Sequence, residues 1–250
     1  RVDGVSSLVV AAMPALPSPA VAAAAPEMLR EVRRAIAERL GEVGTVEVAD
    51  ALAFVAAERR DAGLRETAAT ALARLAERLG DVPTSVTDIA HEFTAADEPT
   101  LRLAGLRILV ATRDHHHAQT VMAALDAEAP SLRAYAARWV GSSPMPLDTR
   151  VVARLEAYLD DRNPSVRLAA MTSLVRRRGD EVAGRVIDAV IAAGDECVPA
   201  VARCLQQLAS DVVHHELGRR LARASSRDRQ LALLRLSDAV LAAVHGRAAA

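Results

Sequence analysis

The chain has 250 residues, 51% of them apolar, and its formal net charge is −1 at pH 7. Aromatic residues make up only 2% of the sequence, so a hydrophobic core must be built mainly from Ala, Leu and Val. The near-zero net charge argues against a chain that binds polyanions over its whole surface. Lysine is absent, which excludes a lysine Schiff base or a lysine general base.

Residues 1–25 are apolar and rich in Ala and Pro. The run from Val5 to Leu16 resembles a secretory signal, but Asp3 weakens the basic end and prolines interrupt the run. We therefore expect a leader or an N-terminal capping segment here, in a chain that is processed or cut from something longer. No run reaches the ~18–20 uninterrupted apolar residues of a membrane span.

From residue 26 onward, apolar residues recur with helical spacing, and two alternating sets of helices are predicted. The first set, the inner helices, covers 26–41, 63–80, 99–113, 130–142, 163–178, 196–209 and 226–245. The second set, the outer helices, covers 46–59, 84–96, 116–128, 147–160, 181–193 and 211–224. Proline suits the first turn of a helix and glycine its end. The sequence places such residues at Pro99, Pro130, Pro164, Gly41, Gly80, Gly179 and Gly194.

A short sequence pattern recurs in the inner helices at intervals of 30 to 37 residues. Its clearest copy runs from Asp160 to Ala170 and joins an Asp/Pro turn to a Val-Arg pair. Three residues after the Arg comes a small or aliphatic residue, and seven after it comes an apolar one, except at Gln206. Small residues in such a column let neighbouring helices approach closely. The Arg position itself is filled by Arg33, Arg65, Arg102, Arg133, Arg167, Pro199 and Arg229.

These residues resemble the HEAT-repeat family, particularly its bacterial HEAT-like branch with PBS-lyase-type repeats. The resemblance covers about residues 26–248 and is clearest in the repeats that begin near Pro99, Pro130 and Pro164. It implies an all-α fold, a right-handed α-solenoid of about seven HEAT-like helical-hairpin repeats, whose inner helices line a concave side. It also implies that the recurring Arg pairs with a turn acid of an adjacent repeat. The acids placed for this are Asp61, Asp97, Asp161 and Asp195.

Positions one, five and eight after the recurring Arg should point away from the core, into the concave groove. They are polar in the first two repeats and apolar from the third onward. A helix that is apolar all round is normally covered all round, so we expect a partner protein or peptide there. Self-association or a tightly closed superhelix would also cover it, and a register error of one residue would make the stripe ordinary core. The predicted groove residues are Leu103, Arg107, Val110, Arg138, Leu168, Thr172, Val175 and Leu234.

Two groups of arginines invite a functional interpretation. Arg107 and Arg138 share one slot in adjacent repeats and would bind a carboxylate or phosphate of a partner, or instead pair with acids of the chain itself. The run Arg176-Arg177-Arg178 ends an inner helix, where cations offset the helix dipole. Contact with an acidic partner is the alternative for that run.

The histidines, glutamates and cysteine that could bind a metal or act in catalysis are not spaced to form one site. The consecutive histidines 115–117 point about 100° apart on a helix, so we predict no metal site, no cofactor and no catalytic residue. The His-Glu pairs at 91–92 and 215–216 resemble those of the di-iron deoxyhypusine hydroxylases, but they occupy different helix positions. Cys204 falls in a groove position without a nearby His, and we expect it to be buried and inert.

The HEAT-like DNA glycosylases of the alkylpurine type are the enzyme alternative. They hold damaged DNA in the groove with aromatic, acidic and basic side chains, whereas Trp139 falls in the predicted core here. No aromatic residue occupies a predicted groove position, so nucleic-acid binding lacks its stacking surfaces and we do not expect it.

The sequence thus predicts a cytoplasmic, non-enzymatic scaffold or adaptor that binds a partner protein or peptide in an apolar groove from Leu103 to Leu234. Cys197 and Cys204 lie too far apart along one predicted helix for a disulfide, which suits a reducing compartment. A DNA-binding protein, a homo-oligomer, a subunit of a larger complex and the regulatory arm of a longer protein are the alternatives.

Overall fold

The computed structural model describes residues 19–112, 117–193, 198–208 and 210–248, with side chains described between 27 and 242, and these residues are all-α. The chain divides into two compact units, Arg1–Thr120 and Val121–Ala250. The first unit contains α1 (Pro19–Val43), α2 (Val46–Ala57), α3 (Ala62–Leu79), α4 (Thr84–Thr94) and α5 (Pro99–Ala111). A short α6 (Ala118–Ala123) spans the division. The second unit contains α7 (Pro130–Ser142), α8 (Thr149–Ala157), α9 (Pro164–Arg178), α10 (Ala183–Ala193), α11 (Val198–Leu205), α12 (Ser210–Arg223) and α13 (Arg227–Ala248).

Most helix boundaries agree with the sequence-based prediction to within a few residues. As predicted, Pro99, Pro130 and Pro164 each open a helix, because proline pre-sets the helical φ and lacks an N–H that the first turn would leave unbonded. Gly80 ends α3 with a φ of 73°, the left-handed conformation that glycine adopts without strain. Gly41 was expected to end a helix but lies inside α1, where its role is in packing.

Helices that carry the recurring Arg position pack on one another within each unit, and we call them the arginine-row helices. They are α1, α3 and α5 in the first unit and α7, α9, α11 and α13 in the second. The intervening helices form a second row, in which α2 packs on α4 and α10 packs on α12. Apolar side chains from both rows are buried between them and form the core of each unit.

The two predicted columns of the repeat line this core. The small column is buried at Ala68, Gly105, Ala136, Ala170 and Ala202. The apolar column is buried at Leu72, Leu109, Val140, Leu174 and Leu236. Gln206, the exception in the sequence, donates from Nε2 to the carbonyl oxygen of Val240 at 2.7 Å, so its amide joins α11 to α13.

Successive arginine-row helices come into close contact at two glycines. A Cβ added to Gly41 of α1 would lie 2.7 Å from the Cα of Ala71 in α3, and one added to Gly141 of α7 would lie 2.8 Å from the Cα of Ser173 in α9. The buried Ser173 hydroxyl donates across the same interface to the carbonyl oxygen of Ala137 at 2.7 Å. Because a backbone atom lies within 3 Å of the added Cβ in both cases, these interfaces have no room for one more methyl group.

The recurring Arg is structural at Arg133, as expected. Its Nη2 donates to both carboxylate oxygens of Asp161, at 2.9 and 3.2 Å, and its side chain also donates to a backbone carbonyl. The same carboxylate accepts from the backbone N of Asn163 at 2.8 Å, and Arg167 donates to the carbonyl oxygen of Asp161 at 2.9 Å. Asp161 therefore ties α7 to the turn that begins α9. A further expected acid, Asp195, lies outside the described residues.

The first unit contains weaker versions of this pairing. Arg65 lies 3.7 Å from the carboxylate of Glu98, instead of pairing with the neighbouring Asp97. Asp61 accepts from the backbone N of Leu64 at 3.0 Å and so caps α3. The contact of Arg65 with Glu98 still joins the start of one arginine-row helix to the turn of the next repeat.

Replacement of Gly141 by Ala should lower the free energy of unfolding by about 1 to 3 kcal/mol, because the new methyl collides with the backbone of α9. The control is Gly218 in α12, where an added Cβ meets nothing within 4 Å. Gly218→Ala should instead raise the free energy of unfolding by about 0.5 to 1 kcal/mol. Urea unfolding followed by circular dichroism measures both, and a gain in stability at Gly141 would contradict the close approach.

Replacement of Asp161 by Ala should lower the free energy of unfolding by about 2 to 3 kcal/mol, because it removes hydrogen bonds to a guanidinium and to the backbone that are largely shielded from water. Asp126→Ala is the matched control, since the ion pair of Asp126 with Arg154 is exposed at both side chains. That change should cost less than about 1 kcal/mol. Thermal unfolding of the two variants compares them directly, and equal losses would refute the special role of Asp161.

Candidate partner-binding surface

Three predicted groove residues of the second unit form one surface, which we call the α7–α9 face: Arg138, Leu168 and Thr172. Arg138 is exposed on α7, and Leu168 and Thr172 are half-buried on α9. Arg138 and Thr172 both stand five residues after the recurring Arg, and α7 packs directly on α9. Arg138 forms no ion pair with any residue that the structure describes. The face therefore combines a free cation with accessible apolar groups.

The hydroxyl of Thr172 is already bonded within its own helix. Oγ1 donates toward the carbonyl oxygens of Leu168 at 3.0 Å and Ala169 at 3.1 Å. The hydroxyl is therefore engaged, and the half-buried Leu168 and Thr172 side chains are neighbours one turn apart on α9.

Val175 does not face open space, contrary to the prediction. It is 2% exposed, and the equivalent positions Ala73 and Gly141, eight residues after the recurring Arg, are buried as well. The contact of Gly141 with Ser173 explains this, because position eight is covered by the next arginine-row helix. The exposed side is instead marked by positions five and nine, such as Arg138 and Arg176. Burial at position eight is not uniform, since Val110 at the same position is half-buried.

The predicted groove residues of the first unit are placed on α5. Leu103 and Val110 are half-buried there. Arg107 donates to both carboxylate oxygens of Glu77 on α3, with Nε 2.8 Å from Oε1 and Nη2 2.6 Å from Oε2. The guanidinium thus forms an ion pair with an acid of the chain itself, as the alternative interpretation of Arg107 proposed.

The first unit also contains a polar cleft of about 200 Å³ between α1, α3 and α5. Three of the residues that line it, Glu38, Glu66 and Thr70, are predicted groove positions of the first two repeats. The expectation that these positions are polar and accessible is therefore met for this set.

Leu234 is 46% exposed on α13, and Leu231 and Leu241 of the same helix are exposed as well. Leu234 is thus the most accessible of the predicted groove residues with an apolar side chain. The sequence did not predict a second exposed stripe, formed by Met28, Val32 and Ile36 on α1, and the placement of Ile36 in the small or aliphatic column of the core is wrong.

The distribution of charge over the arginine-row helices of the second unit was also missed. Helices α7, α9 and α11 pack in that order and contain no Asp or Glu. Their arginines are Arg133, Arg138, Arg167, Arg176, Arg177, Arg178 and Arg203. A segment-by-segment charge count could have found this asymmetry, which the whole-chain net charge of −1 hides.

Most of the Arg176-Arg177-Arg178 run is structural, as expected. Arg177 donates to the carbonyl oxygen of Val140 at 3.0 Å and also to those of Ser143 and Met145, so it fastens the loop that follows α7. Arg178 pairs with Glu181 at 2.6 Å. Arg176 is exposed and has no ion pair with a described residue.

Cys204 is buried, as predicted. Burial raises the pKa of its thiol, while the positive charges of Arg176 and Arg203 act in the opposite direction. A raised pKa leaves little thiolate at neutral pH, so the thiol is poorly nucleophilic.

The histidine run is only partly described, since His115 and His116 lie outside the described residues. His117 is 8% exposed, and its ring centroid lies 5.1 Å from that of His91 on α4. Among the described residues, no group of three or more His, Cys, Asp or Glu side chains could hold a metal ion. In the other His-Glu pair, Glu216 is bound by Arg219 at 2.8 Å and by Arg220.

No family model matches the chain, and no curated protein matches it. The resemblance to HEAT repeats thus depends on the repeated residues themselves. None of the described helices combines the length and the apolarity needed to cross a bilayer.

Cys204 should react with iodoacetamide at least about tenfold more slowly in the folded chain than in the denatured one, measured in a Cys197→Ser background at mildly alkaline pH. Replacement of Arg176 and Arg203 by Gln should raise the thiol pKa further and slow the reaction again, because two nearby positive charges are lost. Arg223→Gln on α12 should leave the rate unchanged. An unchanged rate in the double variant would show that the two arginines do not lie near the sulfur.

Proposed function

We propose that the chain is a HEAT-like α-solenoid that works as a non-enzymatic interaction module. The order of helices within each unit supports this, since arginine-row helices with the same small and apolar columns pack on one another. Each such hairpin buries its apolar side mainly against its neighbours, as solenoid repeats do.

The partner, in this proposal, is a protein or peptide segment that docks on the α7–α9 face. The observation that carries the proposal is the accessible apolar strip of Leu168 and the Thr172 methyl group, next to the unpaired Arg138. Apolar groups bordered by a polar or charged rim are the usual anatomy of a protein interface. Leu234 on α13, with Leu103 and Val110 on α5, are further candidate contacts, whereas Val175 contributes to packing.

Several charged groups that could serve acid–base chemistry are engaged in ion pairs. Asp188 binds Arg220 at 2.6 Å and Arg229 at 3.2 Å. Glu77 binds Arg107, and Glu216 binds two arginines of its own helix. This use of carboxylates favours a structural surface over a catalytic centre in the proposal.

Leu168→Glu should weaken partner binding at least about tenfold, because it places a charge in the apolar strip of the interface. The partner is first captured from native lysate, identified by mass spectrometry and purified, and its affinity is then measured by isothermal titration calorimetry. Ala222→Glu, at an exposed position on α12, introduces the same charge outside the face and should not change the affinity. Circular dichroism verifies that both variants remain folded.

Equal affinity of the wild type and Leu168→Glu for the purified partner would show that the α7–α9 face is not the binding site. Light scattering after size exclusion tests whether a second copy of the chain occupies the face instead. Salt-sensitive binding of duplex DNA, with no protein partner retained, would favour the DNA-binding alternative.

A further inference from the structure

The charge on the row of α7, α9 and α11 is unusually one-sided. These three successive helices carry seven arginines, Arg133, Arg138, Arg167, Arg176, Arg177, Arg178 and Arg203, and no acidic residue. The second-row helices of the same unit hold both signs of charge, with acids such as Glu156 and Glu216 beside arginines such as Arg154 and Arg220. The row of α7, α9 and α11 therefore differs in having no acid among its cations.

Four of the seven arginines have internal partners. Arg133 binds Asp161, and Arg178 binds Glu181. Arg167 and Arg177 donate to backbone carbonyl oxygens near the ends of helices. Internal contacts thus account for these four, and their charges hold the fold together.

The other three, Arg138, Arg176 and Arg203, are exposed and form no ion pair with any residue in the described part of the chain. Arg176 lies four residues after Thr172 on α9, so both side chains are on the same side of that helix, one turn apart. Arg203 is exposed on α11, which packs on α9. The three cations therefore lie on three successive helices of the row that also presents Leu168 and Thr172.

We propose that this surface binds an acidic protein segment in which Asp or Glu side chains alternate with apolar ones. The inference rests on the proposed function and names the chemistry of its partner. Carboxylates would pair with the three free guanidinium groups, and the apolar side chains would cover Leu168 and the methyl group of Thr172. A nucleic-acid backbone satisfies only half of this surface, because it offers phosphates to the arginines but nothing apolar to the strip between them.

The test is selection of a displayed library of random peptides on the full chain, followed by fluorescence polarisation of the labelled winning peptide. The selected peptides should be enriched in Asp and Glu next to Leu, Ile or Val, and their binding should weaken as salt is added. The triple variant Arg138→Glu, Arg176→Glu, Arg203→Glu should weaken binding at least about tenfold, and the corresponding Gln triple variant should also weaken it.

The matched control reverses three exposed arginines outside the arginine-row helices: Arg150, Arg162 and Arg223. It changes the net charge of the chain by the same amount, so its affinity should stay within about twofold of the wild type if local contacts dominate over the overall field. Circular dichroism and thermal unfolding verify the fold of all variants.

The outcomes separate this inference from the proposed function. Peptides that lack acids, or whose binding is lost with Leu168→Glu but survives the triple reversal, would overturn the inference and leave the proposed interaction module intact. If the library yields no binder, the inference fails, while capture of a partner from lysate still tests the proposed function. Binding of labelled duplex DNA that is lost with the same triple variant would then assign the arginines to nucleic acid.

Discussion

The close contact between successive arginine-row helices is the constraint on which the rest of each unit depends. With aromatic residues at only 2%, the chain must bury its surface with small aliphatic side chains, and these fill space only when helix backbones come near one another. Gly141 meets Ser173, and Gly41 meets Ala71, at distances that exclude any larger residue. These contacts decide which side of each helix stays exposed, because the neighbouring helix covers the side chains that lie next to the glycine.

Charged side chains in this arrangement are left to the turns and to the uncovered side of the helices. Arg133 and Arg138 lie five residues apart on α7 and illustrate both locations. Arg133 reaches the turn acid Asp161 and joins two repeats, whereas Arg138 stands on the uncovered side without an ion-pair partner among the described residues. The same residue type thus joins two repeats at one position and stays exposed at another, and the position within the repeat decides which.

The sequence was sufficient for much of the fold and for part of the candidate surface. The period of the apolar residues and the prolines at helix starts located the helices, and the small and apolar columns were identified as core. Placement of Leu168 and Thr172 as accessible, half-buried residues follows from the same phase argument. Val175 shows the limit of the phase argument. Its own helix directs it away from the core, but another helix buries it.

The sequence by itself determined the helices, the repeat and the residues that each helix turns toward its core, since these depend on a rise and rotation that are nearly constant along an α-helix. Only the tertiary structure decided that Arg107 binds Glu77, thirty residues earlier, that His117 meets His91, and that α7, α9 and α11, which contain no acid, pack in succession. The physical reason is that helical phase fixes the direction of a side chain around its own axis. What covers that side chain depends on how near the next helix comes, and this distance is set by contacts between residues far apart in the chain.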